Sequence, residues 1–342
     1  MSLLTFDYRP EILEYLSTPI TWAIAELFAF ILFFYCVADA MKRGDNKTRI
    51  YRVLELFGFI VYAGLFENIG VLGNTYNYSL DRLVMVGVVP LSILLFEAVI
   101  FYSAMQFAEK CNFPKWAIPI VVGFLGVLQD LTIDPAAVFD LHMVNGIMEG
   151  RWNWTTHYDS MLFGIPFFNF SGWFMLMLYY TMLIQLGRKF HEKSGYKRNI
   201  GIAYLILAPI LGVLLIISPI TQFILFLYPI FPLFLNRTAE IVMLSLIAVV
   251  SIATLIKCRK RSLDIDRKDI SVIWVIPLIL HAFDIVLAFS LGITIAYIPV
   301  LLFAGIHLGY LAYYIFRKKN VKSPSSGKNA SVFKSNEPIV VE

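Results

Sequence analysis

Long apolar runs constrain this chain more than any other feature. Stretches near 19–41, 50–72, 84–108, 115–132, 161–186, 200–221, 238–256, 271–291 and 293–316 are each long enough to cross a hydrocarbon layer as a helix, and far too long for barrel strands. Only 15% of the 342 residues are charged and 59% are hydrophobic, whereas a soluble domain carries about 25% charge. Water cannot cover that much apolar surface. The expected fold is an all-α polytopic membrane bundle of nine transmembrane helices, within a range of eight to ten. It forms one integral-membrane domain over residues 1–316, followed by a polar cytoplasmic tail at 317–342.

Charge sets the sidedness. The segments 42–52, 109–115, 187–198 and 257–270 and the tail hold 24 of the 28 Lys and Arg residues, leaving only Arg9, Arg82, Arg151 and Arg237 elsewhere. If these five regions face the cytoplasm, an even number of crossings separates 198 from 257, and 222–237 is an interfacial or re-entrant segment. The N-terminus then lies outside and the C-terminus inside. Asp7, Glu11 and Glu14 have the wrong charge for a cleavable signal peptide, so the first apolar run reads as a retained anchor. Cys36, Cys111 and Cys258 lack metal or disulfide spacing. The +4 net charge reports topology and gives no nucleic-acid signal.

This topology places the polar segment 133–160 at the outer face, together with the loop 74–82 that follows Glu67-Asn68-Ile69-Gly70; the wider polar, aromatic stretch runs from Gln129 to Trp173. Carboxylates near or within a bilayer are costly and mark candidate sites. Asp130 and Asp134, four residues apart, share a helix face if the fourth span continues through them, and Pro135 is expected to limit that helix. Two close carboxyls would give an acid beside a base; alternatively, both serve the backbone at a helix end. Glu67 sits near the outer end of the second span, where it would donate to a neighbouring backbone carbonyl. Glu97 lies in the middle of the third span.

Trp152, Trp154, His157, Tyr158 and Trp173 form either an interfacial belt or a wall of π-faces for a cation. His142 and His157 with Asp134 or Asp140 lack the spacing of a metal box. His281 and His307 read as satisfied core histidines. Gly164, Pro166 and Gly172 are expected to thin or break the fifth span, and Asn169 would be a buried amide in need of partners. Glu26, Glu55, Glu240 and Asp284 are further acids in or near spans, which suits a proton or cation path.

The ordered series Glu67-Asn68-Ile69-Gly70, Tyr76 and Tyr78, Val89-Pro90-Leu91, Asp130-Leu131 with Asp134-Pro135-Ala136, Trp152 and Trp154, Phe163-Gly164-Ile165-Pro166 with Asn169 and Gly172-Trp173 resembles the carotenoid biosynthesis membrane proteins. That family includes the carotenoid 1',2'-hydratases of bacteria and the bisanhydrobacterioruberin hydratases of haloarchaea. The similarity covers roughly residues 50–215. Glu97 stands where the family is expected to have Trp, Leu162-Phe163 replaces a Tyr pair, and two spans follow residue 257.

The resemblance implies a hydratase that adds water to the terminal double bond of a linear carotenoid or polyprenoid, through a tertiary carbocation. It implies Asp130 or Asp134 as the acid, its neighbour as base or water-orienter, and Glu67 as a supporting carboxyl. Trp152, Trp154, Tyr158, Asn169, Trp173, Tyr78 and Glu97 would hold the substrate. No metal or organic cofactor is expected. Expected partners are the substrate, membrane lipid and other enzymes of the pathway, and the expected location is the plasma membrane of a prokaryote. The rival expectation is a proton-coupled or lipid-handling transporter, with Glu97, Glu240 and Asp284 lining one path. A third is a scaffold for pigment enzymes.

Overall fold

The computed structural model describes residues 6–7, 18–43, 48–155, 161–219, 221, 237–258, 265–266 and 269–316. Among the described residues, nine helices are long and apolar enough to cross a membrane. They are α1 (Ile20–Lys42), α2 (Arg49–Leu72), α3 (Leu91–Lys110), α4 (Ile118–Val138), α5 (Phe167–Lys193), α6 (Arg198–Ile216), α7 (Arg237–Cys258), α8 (Ile276–Ser290, led by a π-turn at Ser271–Val275) and α9 (Thr294–Phe316). The chain is an integral membrane helical bundle. The segment expected to lie at the interface, 222–237, falls almost wholly outside the described residues, as does the tail.

Short strands cap one end of the bundle. β1 (Phe6–Asp7) pairs with β3 (Met85–Val86), which pairs with β4 (Val89–Pro90). β2 (Tyr76–Tyr78) pairs antiparallel with β7 (Trp152–Trp154) in the register Tyr76↔Trp154 and Tyr78↔Trp152. β5 (His142–Val144) and β6 (Ile147–Glu149) form a hairpin, as do β8 (Met161–Leu162) and β9 (Ile165–Pro166). The β2–β7 pairing ties the connection after α2 to the one after α4, so both lie at the same end. The Lys- and Arg-rich connections lie at the other end, which makes the strand-capped end the outer face.

Three spans that enter from this face start directly after a proline. Pro19, Pro90 and Pro166 precede α1, α3 and α5 with ψ of 135°, 131° and 137°. Proline offers no N–H to extend a strand ladder, and its fixed φ suits a helix start. Two expectations are corrected here. Gly164 and Pro166 do not thin the fifth span, because they lie before it in the β8–β9 hairpin; Phe163 and Gly164 take the turn at φ 55° and 80°. Pro135 does not end α4, which runs on to Val138. The proline removes one N–H from the ladder, and the flanking helices shield that turn.

α3 and α4 form the centre: 83% of the spanning window of each is buried, against 28–39% for α1, α6, α7 and α9. At the inner end the acids are matched with arginines. Arg188 on α5 bonds both Glu55 on α2 and Glu109 on α3, Arg52 Nη1 lies 3.0 Å from Glu109, and the Tyr204 hydroxyl donates to Glu55 at 3.0 Å. Arg43 bonds Asp39 and Asp269, and Lys110 lies 3.4 Å from Asp269. Burial alone would push Asp269 up, but the Asp266 N–H and Arg43 outweigh it and hold the carboxyl below its usual range.

Removing one partner of a buried pair strands the other. Arg188→Met is expected to destabilise the protein by about 3–5 kcal/mol, read as a lower thermal midpoint in detergent. Adding Glu55→Gln to Arg188→Met should recover much of that loss; no recovery would mean the ion pair is not the cause.

Candidate functional site

Four acids lie just beneath the outer face. Glu67 is five residues from the end of α2, Glu97 six from the start of α3, and Asp130 and Asp134 eight and four from the end of α4. At the α-helical rise this puts them roughly 6–12 Å below the outer helix ends. All four are buried.

Asp130 and Asp134 share a face of α4, one turn apart. The Asn169 amide, in the first turn of α5, donates to Asp130 Oδ2 at 2.8 Å and to Asp134 Oδ2 at 2.7 Å. The two carboxyls lie close enough to interact directly. Two carboxyls held this close in a buried site do not readily both ionise. Asp130 Oδ1 is buried without a partner.

Glu67 and Glu97 form a second pair of interacting, buried carboxyls. Contrary to the expected donation from Glu67 to a backbone carbonyl, its Oε2 accepts from the hydroxyls of Tyr76 at 2.7 Å and Tyr78 at 2.6 Å. Residues two apart on a strand face the same way, so β2 aims both phenols at one carboxyl. Burial first, and then the Glu67 charge, pushes both tyrosines well above the usual phenol range. Glu97 Oε2 is buried without a partner.

The local motif explains this placement. Asn68 donates to Gly64 O and Val86 O and accepts from the Val88 N–H, clamping the β3–β4 hairpin to α2. Its Oδ1 would lie 2.2 Å from a Cβ at Gly87, where φ is +67°. Gly70 lets the Tyr76 ring lie over α2, because a Cβ there would meet the phenol oxygen at 2.6 Å. Trp154 and Trp152 pack edge-on against Tyr76 and Tyr78 at centroid distances of 5.0 and 6.0 Å, and Trp154 meets Phe168 at 5.6 Å.

These groups surround a cavity of about 980 Å³, open solvent at its mouth included. Glu67, Glu97, Asp134, Tyr78, Trp152, Trp154, Asn169 and Trp173 line it. Asp130 stands behind them, joined through Asn169 and Asp134; Tyr158 and His157 lie outside the described residues. Phe66, Phe96, Ile133 and Trp173 in the wall are only half-buried, so the apolar side of the cavity reaches the bundle surface.

Several lining residues escaped the sequence reading of the site. Tyr76 is one. Glu26, Arg82 and Arg151 are others, and the two arginines form a cationic end. Arg82 Nη1 bonds Glu26 at 3.0 Å, Nη2 donates to the Arg151 carbonyl at 2.7 Å, and the guanidinium lies 4.8 Å from the Trp22 ring centroid. Burial lowers Arg82 from the usual guanidinium value, with Glu26 opposing. Arg151 Nε donates to Asp140 at 2.9 Å, and Asp140 also contacts His142 at 2.9 Å and Thr21 at 3.0 Å. A signal existed: Arg82 and Arg151 are two of four cations on the side depleted of them.

Compared with known protein families, curated proteins and solved structures, the chain matches none. Fold and site together define a class: an integral membrane protein with paired, buried carboxyls at an aromatic-walled cavity under the outer face.

Gly70→Ala is expected to cost about 1–3 kcal/mol by overpacking. The closest atom is the Tyr76 hydroxyl oxygen, so the same change should cost less in a Tyr76→Phe background. Thermal midpoints of the four proteins measure the coupling; additive effects would remove the proposed contact.

Proposed function

We propose that this chain is a membrane hydratase that adds water to the terminal double bond of a linear carotenoid or related polyprenoid. One arrangement carries the reading: two close pairs of buried carboxyls, none salt-bridged to a cation among the described residues, stand at an apolar and aromatic cavity that reaches the bundle surface within the membrane.

The cavity is walled mostly by apolar and aromatic side chains, as the end of a long hydrocarbon requires. The bulk of the substrate would stay among lipid or along the apolar wall. One carboxyl of the Asp130–Asp134 pair gives its proton to the less substituted alkene carbon. The positive charge then sits on the tertiary carbon, where the faces of Trp152 and Trp154 stabilise it. Water held by the Glu67–Glu97 pair attacks that carbon, and the proton it sheds returns to the Asp130–Asp134 pair. The sum is alkene plus water giving a tertiary alcohol, with no net change in the protein. Asn169 holds the two aspartates together; Trp173 and Phe96 bound the hydrocarbon.

Proton-coupled transport is the second reading. A hydrogen-bonded file of polar side chains around Asp284 favours it, although the path expected through Glu97, Glu240 and Asp284 does not form as one line. Glu97 lines the cavity, Asp284 packs against another face of α4, and Glu240 lies on α7 away from the cavity wall.

Expression in cells that make lycopene-type carotenoids should yield products one water heavier by mass spectrometry. Asp130→Asn and Asp134→Asn should each lower the yield by about 10²–10⁴-fold while the protein still inserts, as expected for loss of a general acid. Full activity in both variants, or unchanged pigments with the wild type, would reject the assignment.

A further inference from the structure

Behind the carboxylate site, on the far side of α4, four buried side chains form an unbroken hydrogen-bonded file that the hydration chemistry does not use. His307 Nδ1 on α9 lies 3.0 Å from His281 Nε2 on α8. His281 Nδ1 lies 3.0 Å from the Thr132 hydroxyl on α4. That hydroxyl lies 3.0 Å from Asp284 Oδ2 on α8. Thr132 also donates to Gln129 O at 2.8 Å, so its single hydrogen has two acceptors within reach.

The file runs along the membrane normal. Asp284 and Thr132 lie six residues from the outer ends of their helices, His281 nine, and His307 thirteen. The corresponding depths are roughly 9, 14 and 20 Å. In a hydrocarbon core about 30 Å thick, His307 is past the middle. There it lines a second, small cavity together with Gln129, Ser103, Phe107 and Ile273. The outer end, Asp284, lies close enough to Asp134 and Arg151 to feel their charges.

We propose that His307, His281, Thr132 and Asp284 are a proton path between the inner half of the bundle and the outer carboxylate site. The connectivity allows two polarities along the file; the Gln129 amide nitrogen, 3.3 Å from His281 Nδ1, favours the one in which that nitrogen accepts. In one, His307 Nδ1–H donates to His281 Nε2, His281 Nδ1–H donates to Thr132, and the Thr132 hydroxyl donates to the Asp284 carboxylate. A proton arriving at His307 Nε2 releases the Nδ1 proton to His281. His281 releases its own Nδ1 proton to Thr132, and the Thr132 hydrogen passes to Asp284. Every bond is then reversed: protonated Asp284 donates to Thr132, Thr132 to His281 Nδ1, and His281 Nε2–H to His307 Nδ1. One proton has entered, one has been delivered, and no atom has been lost or gained. Asp284 and Asp134 interact by charge without a described hydrogen bond between them, so the last step is a hop that limits the rate of the path.

The inference is independent of the hydration reading, and so is its test. The full-length protein would be reconstituted into vesicles holding pyranine, and a valinomycin-set potassium potential, negative inside, would drive protons inward. Wild type is expected to acidify the interior faster than protein-free vesicles. Thr132→Val and Asp284→Asn should fall to the protein-free rate, and Thr132→Ser, which restores the hydroxyl, should regain the wild-type rate. Size exclusion establishes that each variant is folded. A wild type no faster than empty vesicles, or a folded Thr132→Val as fast as wild type, would overturn the path. Thr132→Ser as slow as Thr132→Val would place the effect in packing and overturn it equally.

Discussion

A carboxyl group beneath the surface of a bilayer is stabilised only by what the bundle itself brings to it, and the architecture of this protein follows from how its acids are met. Unpaired charge in hydrocarbon is costly enough that acids within spans face the interior. The two most buried helices, α3 and α4, carry three of the four outer acids, and α2 presents the fourth. The short strands at the outer end are the means of satisfying them. β2 carries two phenols to Glu67, and β7 locks β2 in place through Trp152 and Trp154.

The two ends of the bundle solve the problem differently, and the difference separates support from chemistry. At the inner end Glu55, Glu109, Asp39 and Asp269 each have an arginine. Breaking such pairs is expensive, which makes them good clamps. At the outer cavity Arg82 and Arg151 stand in the same wall as the acids, yet they pair with Glu26 and Asp140. Glu67, Glu97, Asp130 and Asp134 are left to phenols, one amide and each other. Cations were available within the same cavity, and the four acids are not neutralised by them. Groups held in that condition are where acid–base chemistry is expected.

Much of this was legible in the chain before the structure. The apolar runs and the 24 clustered cations determine nine spans and their sidedness, because hydrocarbon thickness and loop charge act on sequence directly. Asp130, Asp134, Glu67 and Glu97 stood out as acids in apolar context. The strands did not, since segments of two or three residues carry no readable period and are held by pairing between distant loops. Pro135 pointed to a helix end that tertiary packing overrides. The Asp284–Thr132–His281–His307 file was invisible as a unit, because its members lie up to 175 positions apart on three helices, from Thr132 to His307.

The choice of Asn169 between the two aspartates argues further for a working acid. A guanidinium at that position would bind both carboxyls in bidentate fashion and favour the ionised form of each. The pair would then be rigid and chemically inert as a proton donor. An amide offers two N–H groups, one for each Oδ2, and adds no charge. It brings the two carboxyls together without adding the charge that would favour ionising both. The same logic applies across the cavity, where two neutral phenols converge on Glu67. Both pairs are held by neutral donors, which fix geometry without fixing charge. A cavity built only to fill space between helices has no need of that distinction.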